Sequence, residues 1–188
     1  MIVPADGEGE QDLEELRREV RAGSGLENKT QVSPRERRER LGQTGVTVWL
    51  SGLPGSGKVN VAYTLERKLF DLGHSAHVLA PEGHPIPAVA VATKALTDAS
   101  LIAICALPSK KRGERALVRE KVSKERFVEV FVNTDAALCR ERKPDADFEG
   151  FEAPDAPDLT VSMDDLKVDR VVDRIIELLA GRGRVDLG

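Results

Sequence analysis

The chain has 188 residues, of which 40% are hydrophobic, enough for one domain with a buried core. Its formal net charge of −4 argues against a broad nucleic-acid-binding or anionic-membrane surface. Cys105 and Cys139 are its only cysteines, and their separation fits neither a disulfide framework nor a zinc site. The amino terminus lacks the pattern of a signal peptide, and no apolar run is long enough to span a bilayer. We therefore expect a cytoplasmic protein with neither nucleic acid nor membrane as a partner.

The amino-terminal part of the chain differs in composition from the rest. Residues 6–15 carry six acidic groups and no basic one, and the basic stretch that follows has helical spacing. We interpret residues 1–28 as a flexible arm with one short amphipathic helix. Beyond it, Ser33 and Pro34 are typical of a helix start, and Gly42 of a helix end.

From Val46 onward, short apolar runs alternate with segments of helical periodicity, which is typical of βαβ units. The pattern predicts an α/β fold with a central parallel sheet between two layers of helices. We assign this domain to residues 29–182 and a carboxyl-terminal tail to residues 183–188. The predicted strands are residues 46–50, 75–80, 100–107, 126–132 and 158–162.

Two of the helical segments have clear apolar faces. The first follows residue 57, and Gly73 stands at its expected carboxyl cap. Its apolar positions are Val61, Leu65, Leu69 and Leu72. The second covers residues 164 to about 180 and is expected to bury Leu166, Val171, Val172, Ile175, Ile176 and Leu179.

The stretch "SGLPGSGKVN", between the first predicted strand and helix, nearly matches a phosphate-binding loop. Gly52, Gly57 and Lys58 have the spacing at which backbone N–H groups and a helix amino terminus surround a polyphosphate. Val59 stands where a hydroxyl side chain would bind Mg²⁺. The alternative interpretation is a glycine-rich turn with a solvated lysine. The expected nucleotide-binding residues of this loop are Gly52, Pro54, Gly55, Ser56, Gly57, Lys58, Val59 and Asn60.

Several ordered segments resemble the adenylylsulfate (APS) kinases. They are "QVSPRERRERLGQTGVTVWLSGLPGSGK", "TLERKLFDLG", "RFVEVFVNTDAALCRER" and "FEAPDAPDLTV". The resemblance covers residues 29 to about 180 and implies a P-loop kinase fold. It also implies the reaction of that family, which is transfer of the γ-phosphate of MgATP to the 3′-hydroxyl of APS to make PAPS for sulfate assimilation.

The resemblance also implies a substrate-binding segment at residues 109–115. Ser109, Arg112 and Arg115 match the family's motif there, and Arg142 corresponds to an arginine that lies beside the adenine. The segment follows a predicted strand, at the edge where open α/β sheets bind ligands, and its cations suit a phosphate or phosphosulfate. On charge alone, a solvated helix start is the alternative.

Other positions depart from the family. Where the family has "DGDNVR", this chain has Ala80, Pro81 and Glu82, so that only Glu82 keeps a carboxylate. We therefore assign catalysis to Lys58 and Glu82, assign no metal ligand, and expect Mg²⁺ to be weakly held if it binds at all. At two further positions where the family has substrate-binding arginines, this chain has Pro87 and Ala88. The family's lid is shortened here to "KPDADFEG".

These observations predict a protein of sulfate activation that binds ATP, and also APS or PAPS, with reduced or lost transferase activity. One alternative is an active APS kinase. Another is a non-catalytic protein that regulates or scaffolds a sulfate-activation enzyme, and a purely structural dimerisation module would bind no nucleotide. The expected macromolecular partners are a second copy of the chain or a sulfate-activation enzyme.

Overall fold

The computed structural model describes residues 14–15, 17–18, 30–80, 85–163 and 167–187. Most of the predicted amino-terminal arm, the candidate catalytic Glu82 and its neighbour Pro81 lie outside these residues.

Helices and strands alternate through the described part of the domain. The helices are α1 (Pro34–Leu41), α2 (Lys58–Asp71), α3 (Ile86–Asp98), α4 (Arg112–Val122), α5 (Ala136–Arg142) and α6 (Val168–Gly181). The strands are β1 (Val46–Ser51), β2 (Ala76–Leu79), β3 (Ile102–Ala106), β4 (Phe127–Val132) and β5 (Leu159–Val161).

The five strands form one parallel sheet in the order β2-β3-β1-β4-β5. Helices α2 and α6 pack on one face, and α3 and α4 pack on the other. This architecture confirms the predicted three-layer α/β fold. The strand ends differ from the predicted ends by only one or two residues.

Strand β1 separates the two halves of the core. Val48 and Leu50 are fully buried in the cluster formed with α2 and α6. Trp49 points to the opposite face, where its ring stacks on Phe127 with 6.1 Å between centroids. On that same face, the Thr47 hydroxyl lies 2.9 Å from that of Thr97 in α3. Both faces of β1 are therefore filled, as expected for a central strand of a parallel sheet.

Helix α1 has the predicted bounds but buries none of its side chains. It is stabilised locally by a capping box, in which Ser33 Oγ accepts from Glu36 N at 3.2 Å and Glu36 Oε2 accepts from Ser33 N at 2.7 Å. Gly42 ends the helix with a φ of +63°. Capping rather than core packing therefore holds α1.

The predicted start of the last helix at residue 164 is wrong. Lys167 has extended backbone angles and caps α6, which begins at Val168. Residues 164–166, including Leu166, lie outside the described residues. The other five predicted apolar residues of this helix are buried, which confirms its core-facing side. None of the helices in the described ranges has the length and apolar character needed to cross a membrane.

A buried glutamine ties together the chain at the amino-terminal edge of the sheet. Gln43 is 7% exposed, and its Nε2 donates to Ser75 O at 2.9 Å and to Ser100 O at 2.7 Å. Its Oε1 accepts from Ser75 N at 2.8 Å. Gln43 precedes β1, and its side chain bonds backbone groups just before β2 and β3, so it joins the chain at the start of three strands.

We expect Gln43→Ala to lower the free energy of unfolding by about 1–3 kcal/mol, because it removes the side-chain partner of the buried Ser100 O and of the Ser75 N–H. Urea unfolding measures this loss. Arg40→Ala is the control, since Arg40 is exposed on α1 and its loss should change stability by less than about 0.5 kcal/mol. Equal stabilities for the two variants would contradict the role given to Gln43.

Candidate functional site

The carboxyl-terminal ends of three neighbouring strands bring the candidate residues to one edge of the sheet. In the parallel register, Leu50 pairs with Ala106 and Ser51 pairs with Phe131. The chain leaving β1, β3 and β4 therefore emerges side by side. Ligands of open α/β sheets bind at this edge.

The loop from Gly52 to Gly57 has a backbone that requires glycine. Gly55 has a φ of +78°, and a Cβ at this position would lie 2.5 Å from Cys139 O. Gly57 has a φ of +92° immediately before α2. Such angles are accessible to glycine at little cost. The sequence spacing thus corresponds to a tight turn that opens a helix.

Ser56 holds this loop rather than facing solvent. It is fully buried, and its backbone oxygen accepts from Thr134 Oγ1, after β4, at 2.8 Å. A Cβ at Gly52 would lie 2.9 Å from Ser56 Oγ and 2.6 Å from Val132 O. The loop is therefore packed against the end of β4, which fixes the direction of its backbone.

Lys58, the first residue of α2, folds back over the loop. Its side-chain Nζ donates to Gly52 O at 3.3 Å and to Leu53 O at 3.1 Å, and the residue is only 6% exposed. Burial lowers the pKa of Lys58 to about 8. Among the described residues, both hydrogen-bond partners of this ammonium are uncharged carbonyls. An anion would therefore be a stronger partner than the groups that hold it here.

Val59 occupies the position after Lys58 where a phosphate-binding loop has a magnesium-binding hydroxyl. Val59 is 38% exposed and carries no oxygen in its side chain, and Asn60 is exposed on the first turn of α2. No cluster of three or more His, Cys, Asp or Glu suited to a metal occurs within the described ranges. Val59 thus gives Mg²⁺ no side-chain ligand at this position.

Arg142 lies beside the phosphate-binding loop. It ends α5, and its Nη1 donates to Gly55 O at 3.3 Å. Two predicted nucleotide-binding residues, Lys58 and Arg142, are therefore brought to the same loop from different helices. Pro54 is partly exposed and lies between the two contacted carbonyls, Leu53 O and Gly55 O.

The predicted substrate-binding segment divides into buried and exposed parts. Ser109 is 3% exposed, and its Oγ accepts from Trp49 Nε1 at 3.0 Å. Arg115 is also 3% exposed, and it donates to Ser109 O at 2.7 Å and to Glu152 O at 2.6 Å. These contacts favour a positioning role for both residues. Their assignment as substrate-binding stays a prediction.

A buried ion pair completes the surroundings of Arg115. Its Nε lies 2.9 Å from Glu129 Oε1, and Arg119 Nη2 lies 3.2 Å from Glu129 Oε2. Burial raises the pKa of Glu129, although both arginines oppose this shift. Burial also lowers the pKa of Arg115. Removing one partner would leave the other charge buried, so this pair fixes α4 against β4.

Arg112 is the exposed member of the predicted substrate-binding set. Its Nε donates to Ala153 O at 2.7 Å, and its Nη2 lies 3.1 Å from Asp155 Oδ1. Its backbone N–H donates to Glu152 Oε2 at 2.8 Å. Arg112 therefore contacts residues 152–155, which belong to a stretch, residues 147–155, that begins within the shortened lid.

Sequence reasoning missed the acidic partners of this cationic segment. Lys110 pairs with Asp147, and Lys111 Nζ lies 3.4 Å from Glu152 Oε1. The paired residues are about 40 positions apart, so no periodic pattern links them. The only signal was opposite charge in two loops, one after β3 and one between α5 and β5.

The structure describes only some of the positions at which this chain departs from the family's motifs. Ala80 is partly buried against the core, whereas Glu82 lies outside the described residues. Pro87 is buried in the first turn of α3, and Ala88 is exposed. The catalytic assignment of Glu82 therefore stays a prediction.

Comparison with known proteins gives consistent similarities. The family model described as adenylylsulphate kinase matches residues 44–87 and 84–160. Adenylyl-sulfate kinase from Escherichia coli O1:K1 is 32% identical, with 79% of this chain and 89% of the relative covered.

Solved structures share the fold. The structure of the Mycobacterium tuberculosis APS kinase CysC in complex with AMPPNP and APS is 27% identical and has a TM-score of 0.64. The match covers 73% of this chain and 99% of that one. The hexameric APS kinase from Thiobacillus denitrificans has a TM-score of 0.63 at 22% identity, over 82% of this chain and 33% of that one, and supports the fold alone.

The depressed pKa of Lys58 predicts a pH-dependent stability. Between pH about 8 and the ordinary lysine value of 10.5, the unfolded chain holds a proton that the folded chain has released. The free energy of unfolding therefore rises with pH through this window. Below it, burial of the charged lysine costs the fold about 3 kcal/mol.

We expect Lys58→Met to remove this cost, so that the variant is more stable than the parent at pH about 7 and loses that advantage by pH about 10. Urea unfolding across this range measures the difference. Lys124→Met, which changes an exposed lysine, should show no such pH trend. A stability difference that stays constant with pH would refute the assignment of the titration to Lys58.

Proposed function

We propose that this chain, which belongs to the adenylylsulfate kinase family, binds ATP at the loop from Gly52 to Lys58 and transfers phosphate slowly or not at all. The observation that carries the proposal is the state of Lys58. Its ammonium is buried in a glycine turn at the sheet edge and held by carbonyls alone among the described residues. Such an arrangement suits a polyphosphate.

Nucleotide binding would use groups that the loop already orients. The backbone N–H groups at the start of α2 and the positive end of its helix dipole would face the phosphates. Lys58 would exchange two neutral carbonyl partners for a charged phosphate oxygen. Arg142, which contacts the loop at Gly55, would supply a second cation.

Slow transfer follows from what the loop lacks. Phosphoryl transfer depends mostly on positioning and charge stabilisation, to which magnesium contributes in P-loop enzymes. Val59 provides no oxygen for that ion, and Ala80 stands where the family has a carboxylate. A loss of about 3–6 kcal/mol of transition-state stabilisation would slow turnover by roughly 10²–10⁴.

The proposed acceptor site is the cationic segment at Arg112, which would bind the anionic part of APS or PAPS. This segment suits a bidentate contact with phosphate or sulfate. Its cations already contact carboxylates of residues 147–155, which favours weak acceptor binding. A role in regulating or scaffolding a sulfate-activation enzyme follows from this proposal, with that enzyme or a second copy of the chain as partner.

An active APS kinase is the second candidate. It is favoured by the placement of Lys58 and Arg142 on one loop, beside the segment that begins α4. Measuring MgATP and APS binding, followed by an assay for PAPS formation, separates the two candidates. If the chain is an active kinase, Glu82 would be the carboxylate available to the reacting groups.

We expect the chain to bind ATP in calorimetry and Lys58→Ala to weaken this binding at least about tenfold, because a charge-assisted contact is lost. Lys124→Ala is the matched control, since it removes one positive charge from the opposite edge of the sheet. Unchanged affinity in Lys58→Ala, or no binding to the parent at millimolar ATP, would mean that the loop is only a turn.

Magnesium should change the ATP affinity of the parent only weakly, by less than about threefold, because Val59 cannot coordinate it. Val59→Ser should increase this dependence, whereas Val59→Ala, which also shortens the side chain, should not. Calorimetry with and without magnesium measures both variants. PAPS formation by the parent at an ordinary kinase rate, about 1–100 per second, would overturn the proposal and leave an active kinase.

A further inference from the structure

The cations that begin α4 are occupied by acidic groups of the same chain. Lys110 pairs with the Asp147 carboxylate, Lys111 with that of Glu152, and Arg112 with that of Asp155. Three successive cations thus have three carboxylate partners on residues 147–155. An anionic ligand of these cations would therefore meet carboxylates that are already in place.

One of these carboxylates, that of Glu152, also occupies the amino terminus of α4. Glu152 Oε2 accepts from Arg112 N at 2.8 Å, at a helix end that favours negative charge. The Lys110 ammonium holds the pKa of Asp147 below its ordinary value, and the Arg112 N–H does the same for Glu152. Both groups are therefore ionised at neutral pH and act as fixed anions.

We propose that residues 147–155 are an internal competitor for the cationic segment 110–112, so that an anionic acceptor binds there only after displacing them. The inference rests on the proposed function, because it takes the acceptor of that site to be an anion such as APS. It adds a regulatory property: the acceptor site is closed by the chain's own carboxylates.

The contacts differ in how readily they can separate. The side chains of Asp147 and Asp155 are 70% and 73% exposed, and exposed ion pairs contribute only about 0.2–1 kcal/mol each. Glu152 is anchored more firmly, since its backbone oxygen accepts from the buried Arg115 at 2.6 Å and its N–H donates to Lys110 O at 2.9 Å. Without the pairs at its two ends, the segment would be held at its centre alone, so the whole segment would open more often.

The test uses the full chain with Asp147→Asn and Asp155→Asn combined. Both substitutions keep side-chain size and leave Glu152 and the proposed nucleotide-binding residues unchanged. The matched control is Asp145→Asn, which removes an acid just before this stretch, at an exposed residue without an ion-pair partner among the described residues. APS affinity is measured by calorimetry, and hydrogen exchange follows the amides of Arg112 and Glu152.

We expect the double variant to bind APS roughly threefold to tenfold more tightly than the parent, and these amides to exchange faster. The control should match the parent in both measurements. Faster exchange with unchanged APS affinity would overturn the competition, and so would unchanged exchange whatever the affinity.

Different results would contradict the proposed acceptor and the internal competition. If the amides exchange faster but neither parent nor variants bind APS, the acceptor in the proposed function is wrong, and with it the competition for that acceptor. If APS binds equally to parent, double variant and control, the proposed acceptor site stands and only the internal competition is wrong.

Discussion

The parallel pairing of β1 with both β3 and β4 is the constraint on which the site depends. Because β1 is buried along its whole length and hydrogen-bonded on both edges, its register fixes where three chain segments leave the sheet. The glycine loop follows β1, the cationic segment follows β3, and α5 follows β4. Thr134 then bonds to Ser56 O, and Arg142 reaches Gly55 O, so the loops are joined to one another as well as to the sheet.

Resemblance to a family at a given residue does not by itself reveal what that residue does in this chain. Ser109 and Arg115 both match the substrate-binding motif, yet their contacts here are with Trp49, Glu129 and the backbone of Glu152. Burying the Arg115 guanidinium is feasible only because a carboxylate and two carbonyls compensate it. The same residues therefore support α4 and the 147–155 segment, whether or not a ligand touches them.

The sequence predicted the fold more completely than the site. Periodicity located the strands and the buried sides of α2 and α6 because burial imposes it. It wrongly included Leu72, which caps α2 and is 38% exposed, and it placed the start of α6 too early, since an extended Lys167 caps that helix. Motif spacing identified Lys58 because the glycine turn fixes it locally. The pairing of Lys110 with Asp147 joins distant loops, and only the path of the chain across the sheet edge determines it.

The two cationic sites differ in what an incoming anion must replace. Lys58 is held by carbonyls, which satisfy its hydrogen bonds but leave its charge uncompensated, so a phosphate would gain a charge-assisted contact. Arg112 already faces the carboxylate of Asp155, so a phosphosulfate there would exchange one anion for another. The net gain at Arg112 is therefore smaller than at Lys58. This asymmetry supports the proposal that nucleotide binding is stronger than acceptor binding.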